Sequence, residues 1–114
     1  MVFTESLRKN RDFQIVYKKG RSFANSILIM YVLENGQDLN LLGISVSKKV
    51  GNSVVRHRTK RLIKECYRLR EDMLNSGFNI VVVARPFAAK ADHDKIEGAL
   101  IHLLKKHGII KIEK

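Results

Sequence analysis

Tryptophan is absent from this 114-residue chain, proline occurs once (Pro86) and cysteine once (Cys66). A lone cysteine excludes an internal disulfide and suits a reducing cytoplasm. With no Pro/Gly-rich linker, repeat or low-complexity block, one domain over residues 1–114 is expected. No apolar run reaches the roughly 18 residues of a membrane span. The opening Met1 to Arg8 shows no apolar core and small-residue cleavage site, so no secretory signal is expected. His-Glu-x-x-His, Cys-x-x-Cys and acidic clusters are all missing, and His57, His93, His102 and His107 are scattered. Neither a metal site nor a catalytic residue is therefore expected in the protein itself. Acid is scarce: 11 Asp+Glu stand against 22 Lys+Arg, a net charge of +11. Such an excess speaks of partners: nucleic acid, an anionic membrane surface or an acidic protein.

What is present reads as mixed α and β, and 45% apolar residues suffice for one core. Asn10 is placed to cap a helix running to Lys19 and ended by Gly20, with Phe13, Val16 and Tyr17 on one face. Ser26 to Leu33 and Leu41 to Val46 read as strands around an Asn35-Gly36 turn, hence as an antiparallel hairpin. Asn79 to Ala84 reads as a third strand. Between the last two lies a long helix, Asn52 to about Asn75, making a βαβ unit with parallel strands. A final helix spans Asp92 to His107, ends at Gly108, and aligns Ile96, Leu100, Leu103 and Leu104 on one face. Ile109 to Ile112 is open to either a short strand or a tail.

The charge is concentrated on the long helix and its approach. Lys48 to Arg70 holds nine basic residues (48, 49, 56, 58, 60, 61, 64, 68, 70) against Glu65, so 9 − 1 leaves +8. At about 100° per residue, Val55, Thr59, Leu62, Cys66, Leu69 and Met73 form an apolar seam. Arg56, His57, Lys60, Arg61, Lys64 and Arg68 lie opposite, while Arg58 borders the seam and suits a partly structural role. A merely solvated face mixes signs. This one sets Lys60, Lys64 and Arg68 in successive turns, a self-repulsion that a polyanion would relieve. Ser47 to Ser53 joins strand to helix, and the N–H groups of the helix start favour phosphate; a structural turn is the alternative. Glu65 sits among cations, so its pKa should fall, and Cys66 on the seam reads as core. Phe13, Tyr17 and Tyr31 are either core or a stacking surface for unpaired bases.

Ile44 to Glu65 (ISVSKKVGNSVVRHRTKRLIKE) resembles the signature of the protein subunit of bacterial ribonuclease P. Phe13, Tyr17, Gly20, Tyr31 and Ile80 to Arg85 agree, and the resemblance covers about residues 5–107. It implies an α+β fold: a compact single domain with a central mixed β-sheet packed with helices, related to the ribosomal protein S5 domain 2-like fold. The implied βαβ crossover is left-handed, against the general rule. The implied role is as endoribonuclease subunit in a ribonucleoprotein: the RNA cuts the 5′ leader from precursor tRNA, and the protein alone is not catalytic. By that resemblance Lys48, Lys49, Asn52, Arg56, His57, Arg58, Lys60, Arg61, Lys64 and Arg68 bind RNA, and Phe13, Tyr17 and Tyr31 line a leader-binding cleft. His57 departs from the family's usual Asn. Ribonuclease P RNA and precursor tRNA are the implied partners of a cytoplasmic protein that is monomeric alone. No cofactor is expected on the protein; divalent metal (Mg) is expected in the RNA-containing holoenzyme.

Two rivals use the same residues differently. Another RNA-binding protein, such as a ribosomal component, would share the basic helix but lack an aromatic leader cleft. A self-sufficient ribonuclease would use His57 with Lys60 or Lys64. A membrane-surface helix is disfavoured because its apolar face is needed to cover the sheet.

Overall fold

The fold comes from a computed structural model, which describes residues 4–111. Five strands are present there: β1 (Thr4–Ser6), β2 (Arg21–Ala24), β3 (Leu28–Glu34), β4 (Asn40–Ser45) and β5 (Phe78–Ala84). Three helices accompany them: α1 (Asn10–Lys19), α2 (Ser53–Arg70) and α3 (His93–His107). The sheet order is β1-β4-β5-β3-β2. The most continuously apolar segment takes the centre: Ile80, Val81 and Val82 of β5 are all fully buried, as a strand covered on both faces requires.

Alternation along the strands divides the core in two. Leu28, Met30, Val32, Ile80 and Val82 face α2 and α3, in one cluster with Ile63, Cys66, Tyr67, Ile96, Leu100, Leu103 and Leu104. Tyr31, Leu33, Val81 and Val83 point the other way, toward α1, where Val16 is fully buried. The four apolar positions expected on the last helix are all fully buried, and Gly108 closes it in the left-handed conformation, φ 70°.

The β4–α2–β5 unit is parallel as expected, with Leu41 opposite Asn79 and Ile44 opposite Val82. The expected hairpin is not formed. β5 inserts between β3 and β4 and pairs antiparallel with β3 from Leu28–Ala84 to Glu34–Phe78. The turn itself is real, with Gly36 at φ 69°, but Asn35 redirects it. Its N–H donates to the Gly77 carbonyl at 2.9 Å and its Nδ2 to Asn79 Oδ1 at 3.0 Å. The loop is thereby pinned to the start of β5. The antiparallel hairpin that forms is β2–β3.

Other boundaries move by a few residues. Lys9, not Asn10, is the cap of α1, and it makes no side-chain cap hydrogen bond. Gly20 ends α1 in an extended conformation, φ −76°. Glycine is needed there because a Cβ would lie 2.6 Å from the Val16 carbonyl oxygen and 3.0 Å from that of Val32. α2 stops at Arg70 and tightens into a 3-10 turn, Glu71–Met73. Ile110 forms an isolated antiparallel bridge with Leu74. Ile112 and the opening Met1-Val2-Phe3 lie outside the described residues.

Candidate nucleic-acid interface

The strand-to-helix junction is built by local hydrogen bonds. Asn52 caps α2: its Oδ1 accepts from the Val55 N–H at 3.0 Å. A Cβ on Gly51 would come within 2.9 Å of Val55, so this glycine serves close packing within the turn. Val50 is buried and anchors the turn, while Lys48 and Lys49 beside it are exposed.

Along α2, His57, Lys60, Arg61 and Lys64 are exposed on the side away from the core. Arg56 is half-buried, with Nε enclosed and no hydrogen-bond partner. Arg58 is tied down: its guanidinium donates to the Ala89 carbonyl at 3.2 Å and the Ala91 carbonyl at 3.4 Å. Its place beside the apolar seam foretold this. Arg68 is engaged with Glu65 through two contacts, 2.6 and 3.1 Å. That pairing holds the Glu65 carboxyl below its ordinary range, the direction expected from the sequence. The freely presented charge therefore comes from Lys48, Lys49, Lys60, Arg61 and Lys64.

The three rings come together. Tyr17 meets Tyr31 edge-on, centroids 4.9 Å apart, and Phe13 lies 6.4 Å from Tyr17. All three are half-buried on the α1 face of the sheet, neither sealed in the core nor free. Gly43 makes this possible. A Cβ there would lie 2.5 Å from Phe13 Cζ, so the ring rests directly on the β4 backbone. No period or motif marks Gly43 in the sequence; only strand register brings it under Phe13. A hollow of about 400 Å³ opens beside the rings, lined by Arg8, Phe13, Gln14, Tyr17 and Ile44 among others. A second, of about 350 Å³, shares Arg8, Phe13 and Ile44 and reaches Lys60 and Lys64 on α2. The two hollows adjoin along Arg8, Phe13 and Ile44, so Phe13 and Tyr17 border a surface that reaches the basic helix, while Tyr31 lines neither hollow and joins them through its edge contact with Tyr17. Arg8 at the junction of the hollows escaped sequence reasoning, because it lies outside the basic cluster.

The solved structure of the Staphylococcus aureus RNase P protein matches this chain at 38% identity, over 93% of this chain and 97% of that one, with a TM-score of 0.86. The RNase P protein from Thermotoga maritima matches at 32% identity and a TM-score of 0.82, over 96% and 99%. A family model described as ribonuclease P matches residues 1–108. The chain belongs to the ribonuclease P protein family. Among relatives, the "Ribonuclease P protein component" of Lachnoclostridium phytofermentans is 55% identical over 107 residues, covering 94% of this chain and 92% of that one. That of Alkaliphilus metalliredigens is 49% identical, covering 96% and 99%. The family supplies the protein component of an endoribonuclease holoenzyme in which RNA performs catalysis. Its role is to bind ribonuclease P RNA and precursor tRNA for 5′ processing.

One cluster was invisible in the sequence. Folding brings ligand atoms of Cys66, His93 and Glu97 within 4.8 Å of one another between α2 and α3. Glu97 is paired with Arg70 at 3.1 Å, and Cys66 Sγ–H points to the His93 carbonyl at 3.8 Å. Burial, with Glu97 and Glu65 nearby, pushes the Cys66 thiol up to about 11. The thiol therefore stays neutral in the folded protein well above the pH at which an unfolded thiol ionises. Two results are expected. Native alkylation by iodoacetamide at pH 8 should be far slower than after unfolding. Stability from this group is full below the unfolded thiol's pKa, roughly 8.5, and declines as pH rises toward 11. Equal alkylation rates in native and unfolded protein would overturn this placement.

Proposed function

We propose that the protein holds ribonuclease P RNA with the exposed cations of α2 and its approach, and takes the 5′ leader of precursor tRNA over Phe13, Tyr17 and Tyr31. The observation that carries this reading is the pair of adjoining hollows that runs from Tyr17 and Phe13 to Lys60 and Lys64. Stacking suits unpaired bases of any sequence, and ammonium and guanidinium groups suit the phosphates between them. Lys48, Lys49, Lys60, Arg61 and Lys64 supply phosphate contacts. Arg56 and His57 extend the same surface, and Asn52 and Arg58 position it through the helix cap and the link to Ala89 and Ala91. Arg68 contributes once it exchanges Glu65 for phosphate.

The expected Mg²⁺ belongs on the RNA side of the complex. Among the described residues the one Cys/His/acidic cluster offers a sulfur, a nitrogen and a single carboxylate oxygen that Arg70 already holds, whereas Mg²⁺ favours a shell made of oxygen ligands. The protein alone is proposed to be a cytoplasmic monomer. Its exposed large apolar residues, Ile15, Val54, Leu69 and Phe87, are scattered over three elements. No described helix is long and apolar enough to cross a membrane.

Tyr31→Ala tests the leader assignment. Because the ring is half-buried, melting should shift little. Affinity of the reconstituted complex for precursor tRNA should fall by about 1–3 kcal/mol, the worth of one stacked base. Affinity for mature tRNA, which has no leader, should not change. Equal loss for both RNAs, or outright unfolding, would return Tyr31 to a purely structural role.

A further inference from the structure

Phe87 is 67% exposed, the most exposed phenylalanine or tyrosine ring among the described residues, and it lines neither hollow beside the ring row. Its exposure is enforced by the framework. Pro86 opens the 3-10 turn Pro86–Lys90, and Ala88 beside it is fully buried. The Arg85 N–H donates to the Ile27 carbonyl at 2.9 Å, and Arg58 holds Ala89 and Ala91 from α2. These anchors fix the backbone of the turn, with Ala88 directed into the core and Phe87 outward. Beneath the ring lies a hollow of about 360 Å³, lined by Ser26, Ile27, Phe87, Lys90, Ala91 and Lys95. Ile27, Phe87 and Ala91 make its lining largely apolar, Lys90 and Lys95 add two ammonium groups, and the lining contains no carboxylate.

We propose that this ledge takes one unpaired nucleotide of the ribonuclease P RNA, its base stacked on Phe87 and its flanking phosphates held by Lys90 and Lys95. This rests on the reading that the protein binds that RNA. Charge complementarity selects the occupant: a planar apolar face ringed by cations matches a nucleotide. The side of the sheet selects the RNA subunit over the leader. Ala88 packs in the core between the sheet and α2/α3, whereas the leader rings occupy the α1 face. Arg58 links the ledge to the basic helix, so a single RNA surface can engage both.

The test is direct binding of the cognate ribonuclease P RNA to Phe87→Ala, Phe87→Leu, Phe87→Tyr and the Lys90→Ala/Lys95→Ala pair, each checked by thermal melting. Phe87→Ala and Phe87→Leu should weaken binding about five- to a hundredfold, with melting unchanged and affinity restored in Phe87→Tyr. The lysine pair should flatten the salt dependence of log affinity by about 1.5. Lys60→Ala/Lys64→Ala is measured alongside. Loss in that control but affinity within about twofold for the Phe87 variants would overturn the ledge and leave the broader reading standing. If neither set weakens binding, both fail. A Phe87 effect seen only when leader-bearing precursor tRNA is present would move the contact to the leader and overturn the assignment to the RNA subunit.

Discussion

Replacing Lys60, Arg61 and Lys64 together by alanine should lower affinity for the RNA about a hundredfold at physiological salt. These three side chains are exposed on α2 and free of carboxylate partners, unlike Arg68, which Glu65 holds. Each phosphate contact carries a slope of roughly −0.7 to −0.9 in log affinity against log salt. At about 0.15 M salt, three contacts together amount to roughly two powers of ten, and their loss should flatten the slope by about 2–3. The fold should survive, since removing like charges from one helix face relieves repulsion. Binding titrations across a salt series, with melting as a control, read both quantities. A folded variant with the parent's slope would place the RNA elsewhere on the protein.

Ile63→Ala should cost about 2–5 kcal/mol of stability, the loss for truncating a fully buried aliphatic side chain. Leu69→Ala, by contrast, should stay within about 0.5 kcal/mol, because Leu69 is 46% exposed. Both lie on α2, and the helical wheel drawn from the sequence favoured Leu69 for the seam. The helix sits rotated from that expectation, so that Thr59, Ile63, Cys66 and Tyr67 are its buried residues. Tyr67 explains the rotation. Its hydroxyl pairs with Thr4 Oγ1 at 2.8 Å, so a ring that looks amphipathic in sequence becomes the largest fully buried side chain. Urea denaturation of the two variants distinguishes the two orientations; comparable midpoints would refute the rotated one.

The same contrast runs through the rest of the molecule. The last helix was legible to within one residue, His93 rather than Asp92 at its start, because its four apolar positions and its Gly108 stop are local signals. β1 and β2 were not legible: three and four residues long, largely polar and at the sheet edges, they carry no alternation to read. The hairpin expected around Asn35-Gly36 failed for a different reason. A turn motif specifies that the chain reverses, not which strand it then pairs with. In the basic cluster, local spacing placed the charges on the outer face of α2 and marked Arg58, beside the seam, as partly structural. The i,i+3 spacing of Glu65 and Arg68 is also a local signal, which was read only as a lowered Glu65 pKa and not as the loss of a free Arg68; that Arg56 is half enclosed depends on packing and was not legible.

By itself the sequence determined what depends on near neighbours: the helices, the parallel β4–α2–β5 unit, the concentration of charge on α2 and, through the Ile44 to Glu65 signature, the family. Tertiary structure alone decided what depends on residues distant along the chain. Insertion of β5 between β3 and β4 set the sheet order. Strand register put Gly43 beneath Phe13, and the packing of α1 on the sheet brought Tyr17 to Tyr31. The physical reason is that periodicity and capping act over one or two turns of chain. Strand pairing and ring contacts are won by whichever distant segment buries the most apolar surface, and no local pattern encodes that competition.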